Sequence, residues 1–324
     1  MLELVLDPVL FRTPSNGDVA TWGDRIHRLS ELIAHPFLRA SAPERALNSM
    51  VATWYSAPEP QDGPAAYELA RFAHEAAARL ANAPDCPNGA PLLDNIDLDP
   101  GYVAAMVDND ARSDFELHLG EAACVQRDGG THIGIFGPSN SWDKDVPQVL
   151  VEAEILARDS PITGLTEAET AQALREFLDR SSTIDDVLGQ CCDRPCSLLE
   201  NPDLGVRAIW ATQFGGDPWS LEFEIGPEFI ASAKALNLHH RAGEAKRCLR
   251  VMALIAGGRD ADVDGHDDRE TEAPTSPIRK DKNGNTVVRS RLQNRVPDAD
   301  RLFWARGAKP IFLNVSGHRG EPAL

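Results

Sequence analysis

The oxygen-rich run Asp260-Ala261-Asp262-Val263-Asp264-Gly265 places carboxylates at alternate positions and follows them with a glycine. That is how a calcium loop opens: carboxylates wrap a hard cation and glycine allows the sharp turn. Ca2+ or Mg2+ is the cofactor such a loop implies, with Asp260, Asp262 and Asp264 as ligands. The twelfth position is Thr271, flanked by Glu270 and Glu272, and Pro274 and Pro277 leave no room for an exit helix. Seven of the thirteen residues from 260 to 272 are acidic, which is also the composition of a solvated loop. A second acidic set, Asp7, Glu44, Asp94, Asp97, Asp99 and Asp108, offers carboxylates for a two-metal hydrolytic site, which needs several of them to converge. Asp143, Glu152 and Glu154 form a looser third set with no lysine after the second acid. Cys192 and Cys196 have a spacing that suits zinc, but four ligands would need Cys86 or Cys124 from elsewhere in the chain. Gly129-Gly130 and Gly134-Ile135-Phe136-Gly137 fit neither phosphate-loop pattern, and no Gly-x-Ser-x-Gly elbow occurs.

Charge is distributed unevenly around these groups. The formal net charge is −18 over 324 residues. Residues 1–218 hold 15 Lys/Arg against 35 Asp/Glu, whereas residues 219–324 hold 17 against 15. From Arg279 onward the count is 10 basic to 4 acidic. An acidic body repels nucleic acid and a basic stripe attracts it, so the tail is the part suited to a phosphate backbone or to an acidic protein surface.

The elements that must position these residues follow from periodicity. Residues 2–11 read as a strand stopping at Asp7-Pro8. Helices are expected over 19–34 (capped by Asp18), 43–56 and 67–80, and a proline-rich loop over 83–101. Phe115, Leu117 and Leu119 alternate with polar residues, as do Ile133 and Ile135 beyond Gly129-Gly130, which predicts a hairpin. Residues 149–155 read as a further strand, and Thr166 with Glu169 as a capping box opening a helix to Asp179. Pro195 and Pro202 punctuate the mixed stretch 183–214. Gly215-Gly216-Asp217-Pro218 marks a boundary between an acidic domain, 1–218, and a small unit, 219–324, with a long acidic loop over 257–285. In that unit Leu221–Ile225, Thr286–Arg291, Asp300–Trp304 and Lys309–Val315 read as strands and Phe229–Ala256 as helical, with His239-His240 at a helix–helix turn. The class is α+β: helices and then an antiparallel sheet, followed by the α+β unit. No run approaches eighteen apolar residues, the N-terminus lacks signal-peptide character, and six scattered cysteines are too few for a disulfide framework. A reduced, cytoplasmic chain of bacterial style, with no membrane partner, is the expectation.

Residues 219–324 resemble the RelE/ParE toxin fold, which runs strand, helical hairpin and antiparallel sheet with arginines on its last strands. The resemblance rests on Leu221–Pro227, Phe229–Ala256, Val287-Val288-Arg289-Ser290-Arg291, Asp300–Trp304 and Ile311–Arg319, about a third of the chain. It implies nucleic-acid contacts at Arg289, Arg291, Arg295 and Arg319, and metal-independent RNA cleavage with Arg301 on the phosphorane and His318 as acid or base. The acidic loop and the ending Gly320-Glu321-Pro322 depart from that family's pattern. Leu4-Val5-Leu6-Asp7 is similar to the first strand of PIN-like nucleases, with Pro8 in place of the usual small polar residue. Two classes of function therefore stand. One is a subunit of a larger assembly, such as a phage-defence system, whose basic surface binds nucleic acid or a protein partner. The other is a nuclease or toxin-like effector.

Overall fold

The structure, a computed structural model, describes residues 2–11, 27–35, 37–43, 45, 78, 80, 86, 88–105, 107–129, 131–160, 164–271, 273–293, 299–318 and 320–324. The helices expected over 43–56 and 67–80 lie almost wholly outside these residues; of the one expected over 19–34, residues 27–33 are described and are helical. Two compact units divide at Val187/Leu188. The boundary expected at 218/219 thus falls about thirty residues later than the observed division, because the helices after residue 188 belong with the C-terminal strands.

In the first unit, β1 (Leu2–Leu6), β2 (Leu38–Ser41), β3 (Ala90–Asp99), β4 (His132–Phe136), β5 (Gln148–Ser160) and β6 (Gly164–Ser181) form one sheet in the order β2-β1-β4-β6-β5-β3. β2, β1, β4 and β6 run parallel, and only β6, β5 and β3 pair antiparallel. The expected antiparallel sheet is therefore a mixed one. Helix α1 (Asn109–Arg127) packs against it. Phe115, Leu119, Ala122 and Ala123 repeat at helical spacing and are fully buried. Asp108 starts the helix by accepting a 2.8 Å hydrogen bond from Ala111 N–H. The strand expected at 115–119 is thus a helix, and Leu117, which alternation would have buried, is 41% exposed. Two further corrections concern the long hairpin. The helix expected up to Asp179 is β6, paired with β5 from Val149↔Leu178 to Ser160↔Gly164. The proline-rich 83–101 stretch contains β3, whose place at the sheet edge tolerates Pro91.

Where β1 and β4 end, Asp7 is completely buried. Its Oδ1 accepts from Val9 N–H and from the Tyr102 hydroxyl, both at 2.9 Å. A Cβ on Gly137 would overlap the Asp7 side chain, so only glycine lets the ends of these strands approach. Burial pushes the Asp7 carboxyl up to about 6, against those two hydrogen bonds and the charge of Arg180. On α1, buried His118 lies 2.9 Å (Nε2) from Ser41 Oγ of β2, and burial pushes it down to about 4.

The second unit holds α2 (Ile184–Cys192, in which the division falls), α3 (Pro195–Leu198), α4 (Pro202–Phe214), α5 (Phe229–Ala235) and α6 (Ala242–Ala256). Pro195 and Pro202 stand at first-turn positions, where the missing N–H costs nothing. The helical stretch expected over 229–256 is two helices separated by residues 236–241, with His239 and His240 in the turn as expected. β7 (Glu224–Ile225), β8 (Gly265–Asp267), β9 (Thr286–Arg291), β10 (Arg301–Arg306) and β11 (Ile311–Ser316) form a sheet in the order β7-β11-β10-β9-β8, antiparallel except for β7 with β11. The strand expected over Leu221–Ile225 shrinks to its last two residues. The 257–285 stretch has backbone structure although most of its described residues are exposed: β8 pairs with β9, Asp268 and Arg279 exchange backbone hydrogen bonds with Val287 and with each other, and Asp281 closes the turn to Asn285.

Asp7 and His118 give opposite pH dependences. Asp7 keeps its proton longer in the folded state, so its contribution is full below its unfolded value near 4 and is lost as pH rises through about 6. His118 stays neutral when folded, so its contribution is full above 6.5 and is lost as pH falls towards about 4. Each spans about 3 kcal/mol, and between pH 4 and 6 they largely cancel. Asp7→Asn should leave stability rising with pH across this window, and His118→Asn should leave it falling. Thermal melts at pH 4.5, 5.5 and 6.5 check this; parallel curves for the wild type and both variants would show the assignment to be wrong.

Candidate nucleic-acid interface

Alternation along β9 puts Val287, Arg289 and Arg291 on one face of the second sheet. The register extends that face sideways: Arg301 stands directly opposite Arg291, Phe303 opposite Arg289, and His266 of β8 opposite Arg289 on its other side. Residues facing each other across a ladder point to the same side. The face has two halves. Val287, Phe303, Ala305 and Leu313 make a small apolar core, and Arg289, Arg291 and Arg301 continue from it as a basic half. His318, two residues beyond β11, brings Nδ1 to 3.0 Å from Arg301 Nη2. A guanidinium only donates, so Nδ1 accepts and the imidazole carries its proton on Nε2.

Carboxylates of the 260–268 stretch hold these cations. Arg291 Nη1 is 3.3 Å from Asp264 Oδ2, and Arg289 Nη1 is 3.8 Å from Asp268 Oδ1. Asp268 also takes Arg279 Nε at 3.3 Å, and Arg279 reaches Glu321 at 3.1 Å. Burial pushes the Asp268 carboxyl up, while Arg289 and Arg279 pull it back down. Arg306 stands 3.7 Å from both Asp260 and Asp267.

Of the six basic residues nominated by the sequence, four have described positions. Arg289, Arg291, Arg301 and His318 come together on one face; Arg295 and Arg319 lie outside the described residues. The three aspartates read as a calcium loop point to basic side chains of the chain itself: Asp260 to Arg306, Asp262 to Arg259 at 2.6 Å, and Asp264 to Arg291, with His266 Nε2 at 3.0 Å. Among the described residues no group of three or more His, Cys, Asp or Glu is arranged to hold a metal. Of the N-terminal acids, Asp7 is engaged with Tyr102 and Val9, Asp108 caps α1, Asp97 bonds the Leu98 N–H and Asp99 faces Lys144 at 3.7 Å; Glu44 lies outside the described residues. Cys192 faces Thr212 at 3.4 Å and Cys196 the Leu238 carbonyl. Burial pushes the Cys191 and Cys86 thiols up to about 12 and Cys124 to about 11, which disfavours the thiolate that zinc requires. His266, Asp268 and Arg279 were not singled out in the sequence. Strict alternation out from Arg289 marks its own strand, but nothing local signals which residues of a neighbouring loop will face it.

Comparison with protein-family models, curated proteins and solved structures finds no match.

Asp264 is about two-fifths exposed, as is Arg291. Asp264→Asn should change stability by less than about 1 kcal/mol, the range of exposed ion pairs. The backbone bond from Arg291 N–H to the Asp264 carbonyl, 3.1 Å, stays in place. With its counter-charge gone, Arg291 should bind a polyanion more tightly, which retention on a heparin column would register as elution at higher salt. Elution at unchanged or lower salt would mean that the Asp264 carboxylate does not restrain Arg291.

Proposed function

We propose that residues 188–324 bind the sugar-phosphate backbone of nucleic acid on the face formed by Arg289, Arg291 and Arg301, and that the chain serves as the nucleic-acid-binding member of a bacterial multi-protein system. The observation that carries this is the direct juxtaposition of Arg291 and Arg301 across the ladder, with Arg289 two residues away on the same side. Like charges facing each other across strands destabilise a sheet. A phosphate between two guanidiniums reverses the sign of that interaction, and arginine's planar fork matches phosphate oxygens better than any other side chain. The local excess of basic residues supports the reading, since the chain as a whole, at −18, would otherwise repel a polyanion.

The contact between Arg301 and His318 favours a second reading, RNA cleavage of the kind that the resemblance implies. The ribose 2′-oxygen, its proton passing to water, would attack the adjacent phosphorus as the bond to the 5′-oxygen breaks, Arg301 would stabilise the charge on the phosphorane, and His318 Nε2–H would protonate the departing 5′-oxygen. The products would be a 2′,3′-cyclic phosphate and a 5′-hydroxyl. A substrate with 2′-deoxyribose at the scissile position cannot react this way, so its resistance together with loss of activity in His318→Ala is the signature of this reading.

Binding is tested by fluorescence anisotropy of a labelled single-stranded oligonucleotide as salt is raised. Each phosphate neutralised on a single strand contributes about −0.7 to the slope of log K against log salt. Arg291→Ala with Arg301→Ala should make the slope shallower by about 1.4 and weaken binding at every sequence tried. An unchanged slope would remove both arginines from the contact, and no binding by the wild type would remove the proposal.

A further inference from the structure

The helix α6 has two faces. Ala245, Cys248, Leu249, Met252 and Ala253 are buried in the core. Arg247, Arg250, Val251 and Leu254, spaced i, i+3, i+4 and i+7, form a second stripe that lines a cleft of about 870 Å3. Its other wall comes from Val263, Leu292 and Gln293, with Arg291. Arg291 also lines the depression that contains His266, Arg289 and Arg301. The cleft and the basic face thus share one guanidinium.

Four carboxylates border the cleft, and each already has a cation of the chain. Arg241 holds Glu244 at 3.3 Å and Asp300 at 3.4 Å, Arg259 holds Asp262 and Arg291 holds Asp264. Asp300 also accepts from Gln293 at 3.2 Å. Arg247 and Arg250 have no carboxylate partner among the described residues and are exposed. Arg250 is oriented by Phe214, whose ring centroid lies 5.6 Å from its guanidinium carbon. Two unpaired guanidiniums one helical turn apart, set beside the half-buried Val251 and Val263 with the buried Leu254 and Leu292 behind them, suit a ligand that alternates phosphates with flat bodies. That is a single strand of nucleic acid.

We propose that a single strand bound on the Arg289/Arg291/Arg301 face continues past Arg291 into this cleft, where Arg247 and Arg250 take its next phosphates and the apolar wall takes its bases. The proposal rests on the phosphate-binding reading of the sheet face and extends it: the ligand is a polymer several nucleotides long that occupies both places at once.

The full chain carrying Arg247→Gln and Arg250→Gln tests this, with thermal melts to confirm that the variant folds. Both positions are exposed, so the melting temperature should hold. Binding of a dinucleotide and of a twelve-nucleotide single strand is measured by anisotropy for wild type and variant. The expected result is unchanged dinucleotide affinity, a tenfold or greater loss for the twelve-mer, and a salt slope shallower by about 1.4 for the twelve-mer alone. If the wild type binds the twelve-mer and the variant binds it equally well, the cleft proposal falls and the sheet-face reading stands. If the wild type binds neither, both fall. If a mononucleotide competes as well as the twelve-mer does, the cleft takes a free nucleotide and the polymer is wrong.

Discussion

The electrostatics of the second sheet turn on a single constraint: the ladder forces Arg291 and Arg301 to the same side at the same level, with Arg289 beside them. Three guanidiniums in such proximity repel one another, and a fold that keeps them must supply counter-charge. Here the supply comes from the strand that joins the sheet edge. β8 pairs with β9, and the residues around it, Asp264 and Asp268, deliver carboxylates to Arg291 and Arg289. The 260–268 stretch is therefore an internal occupant of the basic face as much as a connection. Its carboxylates sit with guanidiniums in the way that phosphate oxygens would.

The two counter-charges differ in kind. Asp268 is buried, is stitched to Val287 and Arg279 through its backbone and holds Arg279 as well as Arg289, so it belongs to the framework. Asp264 is far more accessible and its pair with Arg291 is open to water and salt. An incoming polyanion can compete with Asp264 at modest cost, while Arg289 stays oriented by Asp268. On the proposed function, such an arrangement would keep the face ordered before a polyanion arrives and leave Arg291, which also lines the α6 cleft, to exchange partners.

Much of the second unit was legible in the sequence. Thr286–Arg291 and Ile311–Val315 carry β-branched and aromatic residues at period two, and both are strands. The first unit shows where periodicity fails. Leu174 and Leu178 are four apart, which fits one helical turn and also two steps along a strand; they face Ala153 and Val149 across a hairpin whose length overrides the helix-forming local composition. Phe115 and Leu119 have the same spacing and are helical, decided by the Asp108 cap and by Ala122 and Ala123 further along. The aspartates at 260, 262 and 264 misled for a related reason. Alternate carboxylates before a glycine have the pattern of a cation loop, but their partners include Arg291 and Arg306, which are distant in sequence and are brought there only by strand pairing. Arg289, Arg291, Arg301 and His318 could be nominated from sequence, whereas their assembly on one face depends on the β9–β10 register.

Arginine-selective labelling of the full chain with phenylglyoxal, with and without a single-stranded oligonucleotide and read by mass spectrometry, tests the central claim most directly because it scores each guanidinium separately. The account predicts protection of Arg289, Arg291 and Arg301, with exposed Arg175 of β6 labelled equally in both samples. Equal labelling of Arg289, Arg291 and Arg301 with and without oligonucleotide, under conditions where the oligonucleotide is bound, would contradict it.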